Sequence, residues 1–193
     1  MTPQLFSVEA WGGATYDVAL RFLGEDPWDR LARLREALPN ICIQMLLRGR
    51  NTVGYTPYPT EVTKAFVEEA ASTGVDIFRI ATHVTEADVS QKHIEYLASN
   101  DVEVHGVLMM SHMIDLAGLI KQVALMKQYG AKAVILMDSA GFFTPSDVSR
   151  RICGIRDAMD IEMGFHAHNN LGLGVGNALA AISEGATVID GAS

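Results

Sequence analysis

Cysteine is scarce in this chain. Cys42 and Cys153 are the only two among 193 residues. Two cysteines cannot make a disulfide framework, and they read as small buried hydrophobes of a reducing, cytoplasmic compartment. Runs of lysine and arginine are also lacking. Fifteen basic residues face 23 acidic ones, for a formal net charge of −8, which argues against a nucleic-acid surface. No window reaches about 18 uninterrupted apolar residues, so a membrane span is not expected. The opening Met1-Thr2-Pro3-Gln4-Leu5 has neither a basic region nor a long apolar stretch, so no signal peptide is expected. What remains is a globular composition, 49% hydrophobic and 20% charged, outside the range that keeps a chain disordered. One domain with a core large enough to fold without staples is the default at this length.

Short apolar runs alternate with amphipathic stretches. The runs are Leu5 to Ala10, Ile41 to Leu47, Val75 to Thr82, Val102 to Met110, Ala133 to Met137, Ile161 to His168 and Thr187 to Asp190. Between them lie helix signals. Asp26-Pro27 reads as N-cap and first helical residue, with Leu31, Leu34 and Leu38 at helical spacing. Thr60 heads a helix with Val62, Phe66, Val67 and Ala70 on one face, stopped by Gly74. Thr85-Glu86-Ala87-Asp88 resembles a capping box, and Thr144-Pro145-Ser146-Asp147 is a second strong start. The strands recur at roughly the 30-residue length of one strand–helix unit. Val- and Ile-rich strands of this kind are covered on both faces in a parallel sheet with right-handed crossovers.

Two α/β architectures fit, a doubly wound open sheet and a TIM (βα)8-type barrel. Polar residues favour the barrel, because they close nearly every strand: Arg48, His83, Ser111-His112, Asp138-Ser139, His166-Ala167-His168 and Asp190. A barrel gathers all of these ends at one mouth. His166 and His168 are two apart on a strand and share a face, and two neutral imidazoles suit a divalent transition metal. Hydrogen bonding inside a polar mouth is the alternative. Asp138 and Asp190 are candidate carboxylate ligands by position, or else caps or partners that hold an imidazole. Arg48 has the chemistry to hold a carboxylate with two parallel bonds, or is a surface residue of the loop that also holds Arg50, and Gln44, four residues earlier, shares its strand face. His83 and His112 lie near strand ends, His105 reads as a core histidine, and His93 as a solvent-facing helix residue. Gly172-Leu173-Gly174-Val175-Gly176 lacks the spacing of a phosphate loop and reads as a tight strand-to-helix entry.

Two stretches resemble known families. The stretch from Leu5 to about Ile80 resembles the carboxyltransferase domain of pyruvate carboxylase, through Val8-Glu9-Ala10-Trp11-Gly12-Gly13-Ala14-Thr15-Tyr16-Asp17, Arg21-Phe22-Leu23-Gly24-Glu25-Asp26-Pro27-Trp28 and Gln44-Met45-Leu46-Leu47-Arg48-Gly49. Residues 81–193, with the lead-in Arg79-Ile80, resemble 4-hydroxy-2-oxovalerate aldolase, through Ala81-Thr82-His83-Val84-Thr85-Glu86-Ala87-Asp88-Val89-Ser90, Leu108 to Met113, Asp138-Ser139 and His166-Ala167-His168-Asn169-Asn170. Both belong to the HMG-CoA lyase-like, pyruvate carboxyltransferase superfamily of metal-dependent barrels. The resemblance implies a divalent metal, Mn²⁺ first, with Mg²⁺, Co²⁺ or Zn²⁺ as alternatives, on His166 and His168. It implies a small 2-oxo acid substrate held by Arg48, with Gln44 and Ser139 beside it. It implies retro-aldol cleavage to pyruvate and an aldehyde, or carboxyl transfer as the alternative, and an acylating acetaldehyde dehydrogenase as partner. In the resemblance, an Arg-Asp dipeptide on a first barrel strand supplies the third ligand. Arg156-Asp157 matches it in letters only and falls in a helix. Met137 stands where the carboxyltransferase has a carboxylated lysine. The expected architecture is therefore an incomplete barrel of about seven strands, short of the ~250 residues a full barrel takes. Its open edges invite oligomerisation or an inactive state.

Overall fold

A computed structural model describes residues 5–54 and 56–191; the expectation for Met1 to Gln4 lies outside these residues. Seven strands form one parallel sheet: β1 (Ser7–Gly12), β2 (Cys42–Arg48), β3 (Ile77–His83), β4 (Glu103–Met109), β5 (Ala133–Asp138), β6 (Glu162–Ala167) and β7 (Val188–Ile189). Their spatial order is their sequence order. A doubly wound sheet reverses direction at a switch point; this one does not. The helices are α1 (Gly13–Val18), α2 (Pro27–Ala37), α3 (Thr60–Thr73), α4 (Gln91–Ser99), α5 (Leu116–Tyr129), α6 (Pro145–Ala158) and α7 (Gly174–Ser183). A π-helical turn at Ala19–Leu23 follows α1 directly.

The sheet is strongly curled. Arg79 on β3 donates to Asp190, just past β7, at 2.6 Å. In a flat sheet those strands would stand roughly 19 Å apart at ~4.8 Å per strand. One side chain does not bridge that span, so the sheet closes into most of a barrel. The result is an incomplete TIM-type α/β barrel.

The period of two along each strand sorts residues between two cores. Ile43, Met45 and Leu47 of β2, Phe78 and Ile80 of β3, and Val134 and Leu136 of β5 face the helices and are buried with Leu31, Val67, Val123 and Ile152. Ala81, Val107, Ala133 and Ile135 face the concave side, packed by Leu46, Met109, Met137 and Val188. In β1 the alternation breaks. Glu9 pairs with Gln44 but Trp11 pairs with Met45, so Ala10 is bulged. The bulge turns Trp11 away from Glu9 and into the helix-side core. There its ring meets Tyr16, Trp28 and Phe66, and its Nε1 donates to the Pro27 carbonyl at 2.7 Å.

The helix signals resolve individually. Asp26 caps α2 through the Trp28 amide. Thr144 and Asp147 form a reciprocal capping box on α6. Thr85 to Asp88 does not: Ala87–Ser90 is a 3₁₀ turn and α4 begins at Gln91. The Thr85 hydroxyl is drawn instead to His83 Nδ1, 2.8 Å away. The buried face of α3 is Thr63, Val67 and Ala70. Val62 is exposed, because Thr63 turns inward to the Thr52 hydroxyl at 2.8 Å. Cys42 and Cys153 are free thiols and only half-buried. Cys153 faces solvent from α6 towards Asp157, so neither fills the core. No described helix is long and apolar enough to cross a membrane.

Candidate active site

The C-terminal ends of the strands ring one mouth. β6 ends in His166 and Ala167, and His168 follows. The two imidazoles are side by side, with ring centroids 5.2 Å apart. His166 is half-buried and His168 exposed. His166 Nδ1 lies 2.8 Å from Asp190 Oδ2, and that same oxygen takes the Arg79 guanidinium at 2.6 Å. Burial pulls the Asp190 carboxyl up, but the bonds from His166 and Arg79 outweigh it and hold the pKa at about 2. Asp190 is therefore the partner that orients an imidazole, one of the two roles its position allowed.

Glu9 adds a second carboxyl to the trough. Glu9 is exposed at the rim, yet the surrounding walls still push its pKa up, against the pull of Arg79. Neither Arg79 nor Glu9 was singled out from sequence. The signal for Glu9 was its register beside Gln44, hidden by the bulge. For Arg79 it was a charged residue inside an apolar strand, where only a paired charge is tolerated.

Asp138 does not face the mouth. Its carboxylate is fully buried and accepts the amides of Phe142 at 3.0 Å and Phe143 at 2.9 Å. It anchors the β5–α6 loop. Phe143 in turn offers its carbonyl to the buried Asn177 of α7 at 2.7 Å. Gly141 in this loop has φ +59°, and a Cβ there would stand 2.8 Å from the Asn170 amide and 2.9 Å from the His168 carbonyl. The loop thus seats directly on the His168–Asn170 segment.

Ser139 accepts the Met110 amide at 3.0 Å. That bond ties the end of β5 to the loop after β4, where Met110 itself has φ +60°. The Ser139 hydroxyl is the acceptor in that bond, so its own hydrogen can be donated elsewhere. Arg48 shares the concave face with Gln44, and its Nη1 donates to the Gly54 carbonyl at 2.9 Å. Gln44 is buried lower in the trough and accepts from the Ser7 hydroxyl at 3.0 Å. The structure thus brings His166, His168 and Asp190 together and places Arg48 at the end of β2, on the same concave side of the sheet. Gln44 is on the same face but deeper.

The remaining histidines separate. His83 turns into its own loop. His112 packs on Phe142 and Phe143, beside Asp138. His105 is buried and bonded to Glu103 at 2.9 Å; burial lowers its pKa against the pull of that carboxylate. His93 is not solvent-facing. It is half-buried, burial lowers its pKa, and it bonds the Gly49 backbone, because α4 packs under the β2–α3 loop. At α7 the Asn169 side chain accepts the Gly174 amide at 2.8 Å, and Gly172 has φ +72°. The glycine run is therefore a strand-to-helix entry.

As a donor set, the two imidazoles and the acid behind one of them fit two positions of a divalent ion. No group of three or more His, Cys, Asp or Glu able to hold a metal occurs among the described residues, so further positions would be filled by water, substrate or other protein.

The chain is 41% identical over 180 residues to a 4-hydroxy-2-oxovalerate aldolase of Carboxydothermus hydrogenoformans, covering 93% of this chain and 50% of that one. It is 49% identical over 125 residues to one of Bacillus thuringiensis, covering 65% and 37%. The carboxyl transferase domain of Rhizobium etli pyruvate carboxylase superposes with a TM-score of 0.91 at 35% identity, covering 97% of this chain and 33% of that one. The chain spans half or less of the length of the relatives it matches. The HMGL-like family pattern matches residues 60–192, well over half of the chain, and the chain belongs to the HMGL-like family.

Proposed function

We propose that this chain carries the metal-binding face of an aldolase that cleaves a 4-hydroxy-2-oxo acid to pyruvate and an aldehyde. The observation that carries this reading is the His166–His168 pair at the end of β6, with Asp190 bonded behind His166. It stands in a sequence 41% identical to a protein named 4-hydroxy-2-oxovalerate aldolase.

His166 and His168 would hold a divalent cation, Mn²⁺ by preference, which when bound supplies Lewis acidity to a 2-oxo group. Asp190 fixes the His166 ring. Arg48 meets the substrate carboxylate, and Ser139 donates its hydroxyl hydrogen to a substrate oxygen. The reaction removes the 4-hydroxyl proton, breaks the C3–C4 bond and returns a proton to C3. The chain reads as one domain with a carboxyltransferase-like part at 1–80 and an aldolase-like part at 81–193. It would work in the cytoplasm, with an acylating acetaldehyde dehydrogenase taking the aldehyde.

The test is pyruvate release from 4-hydroxy-2-oxovalerate with added Mn²⁺. His166→Ala and His168→Ala should each abolish it, and a rate indifferent to both substitutions overturns the reading. Carboxyl transfer is the second reading, favoured by Arg48 and Gln44 and by the superposition on the carboxyl transferase domain. Met137, with no ionisable group two residues before Ser139, weighs against it. Arg48-dependent decarboxylation of oxaloacetate without aldol cleavage would favour the second reading. Association through the open edges of β1 and β7 into an inactive oligomer would show in size-exclusion chromatography as loss of the monomer together with loss of Mn²⁺ binding.

A further inference from the structure

Arg79 leaves β3 on the concave face and is 4% exposed. A buried guanidinium persists only with a countercharge. Here that charge is Asp190, reached across the trough over a sequence separation of 111 residues. Asp190 Oδ2 receives Arg79 Nη1 at 2.6 Å and His166 Nδ1 at 2.8 Å. An ionised carboxylate has no hydrogen to give, so both contacts are donations into one oxygen. An imidazole that donates through Nδ1 keeps its lone pair on Nε2.

Asp190 needs this support. It follows β7, which is only two residues long, and its own amide reaches the Phe165 carbonyl at 3.3 Å. β3, by contrast, is paired along both edges, with β2 and with β4. The guanidinium thus ties a carboxylate just past the shortest strand to a strand paired along both edges.

We propose that Arg79 is a positioning residue: through Asp190 it holds His166 as the Nδ1–H tautomer and reserves Nε2 for a divalent cation. The inference rests on the metal-ligand reading of His166. Arg79 acts on His166 through Asp190. Its effect is transmitted by the shared carboxylate oxygen.

The test uses the 193-residue chain, metal-free and labelled with ¹⁵N-histidine. Long-range ¹H–¹⁵N correlation should give His166 the pattern of a single Nδ1–H tautomer. In Arg79→Gln it should become a tautomer mixture, and Mn²⁺ affinity by calorimetry should fall about 10- to 100-fold, the usual effect of losing an outer partner of a ligand. Trimethylamine N-oxide holds the variant folded where the buried substitution alone unfolds it. Arg79→Lys, which restores the charge but not the planar fork, should recover part of both signals. A folded Arg79→Gln chain with an unchanged tautomer and unchanged Mn²⁺ affinity overturns the proposal. If the tautomer responds but the parent chain binds no Mn²⁺, the positioning role stands and the metal reading fails. If the parent binds Mn²⁺ and the tautomer is indifferent to Arg79, the reverse holds.

Discussion

Asp138 separates two accounts of the mouth, as a ligand or as an anchor, and the structure assigns it to the anchor. Asp138→Ala removes an acceptor from two amides. Hydrogen bonds to a charged group net about 1.5–3 kcal/mol each. The two are not equivalent. Phe142 is 63% exposed and its amide can rehydrate, whereas Phe143 is 1% exposed and its amide cannot. The Phe142 bond is then worth about 1 kcal/mol and the Phe143 bond about 2–3, so the variant should lose about 3–4 kcal/mol. That is a large share of the ~5–15 kcal/mol by which domains are stable. Asp138→Asn keeps one oxygen for Phe143 and leaves the Phe142 amide to water, at a cost of about 1–2 kcal/mol. Equilibrium urea unfolding measures both as a lower midpoint at unchanged slope. Mn²⁺ titration of the Asn variant should match the parent. An Asp138→Ala chain that unfolds at the parental midpoint but binds Mn²⁺ tenfold more weakly would mean the carboxylate faces the metal and the reasoning is wrong.

Gly141→Ala should weaken Mn²⁺ binding severalfold, because its Cβ would displace the His168–Asn170 backbone; calorimetry with unchanged affinity would count against that packing. Trp11→Ala should destabilise the chain by about 3–5 kcal/mol, since it empties the centre of the Tyr16, Trp28 and Phe66 cluster and strands the Pro27 carbonyl; urea unfolding reads this directly. Burial holds the folded-state pKa values of His105 and His93 below the ordinary 6.5 of a free imidazole. The unfolded chain then binds more protons than the folded one as pH drops through 6.5. The stability these two residues contribute is present well above that value and is lost progressively over the acid range through and below it. The thermal midpoint of the metal-free chain should decline over that window, and the double variant His93→Gln/His105→Gln should flatten the decline.

Much of the mouth was legible because strand chemistry is local. The apolar runs marked every strand to within a few residues, since the central strands are buried on both faces and are apolar along most of their length. His166 and His168 shared a face by the period of two alone. Thr144-Pro145-Ser146-Asp147 made its cap because the partners are three residues apart. The same locality failed at Thr85, where a nearer acceptor, His83, competed for the hydroxyl. It also failed in β1, where one bulged residue at Ala10 put Glu9 and Trp11 on opposite sides of the sheet.

The sequence by itself determined the strand–helix alternation, the barrel-type order of the sheet, the histidine pair and the position of Arg48 at a strand end. These follow from contacts between residues close in the chain. Only the tertiary structure decided which carboxylate serves the histidines. Asp138 and Asp190 each follow or end a strand and look alike in sequence. The curl of the sheet brings Asp190 to Arg79 and His166, across 111 and 24 residues. The turn after β5 folds two amides onto Asp138 and buries it. A one-dimensional pattern specifies a face, whereas a shared oxygen between distant side chains depends on how far the whole sheet bends.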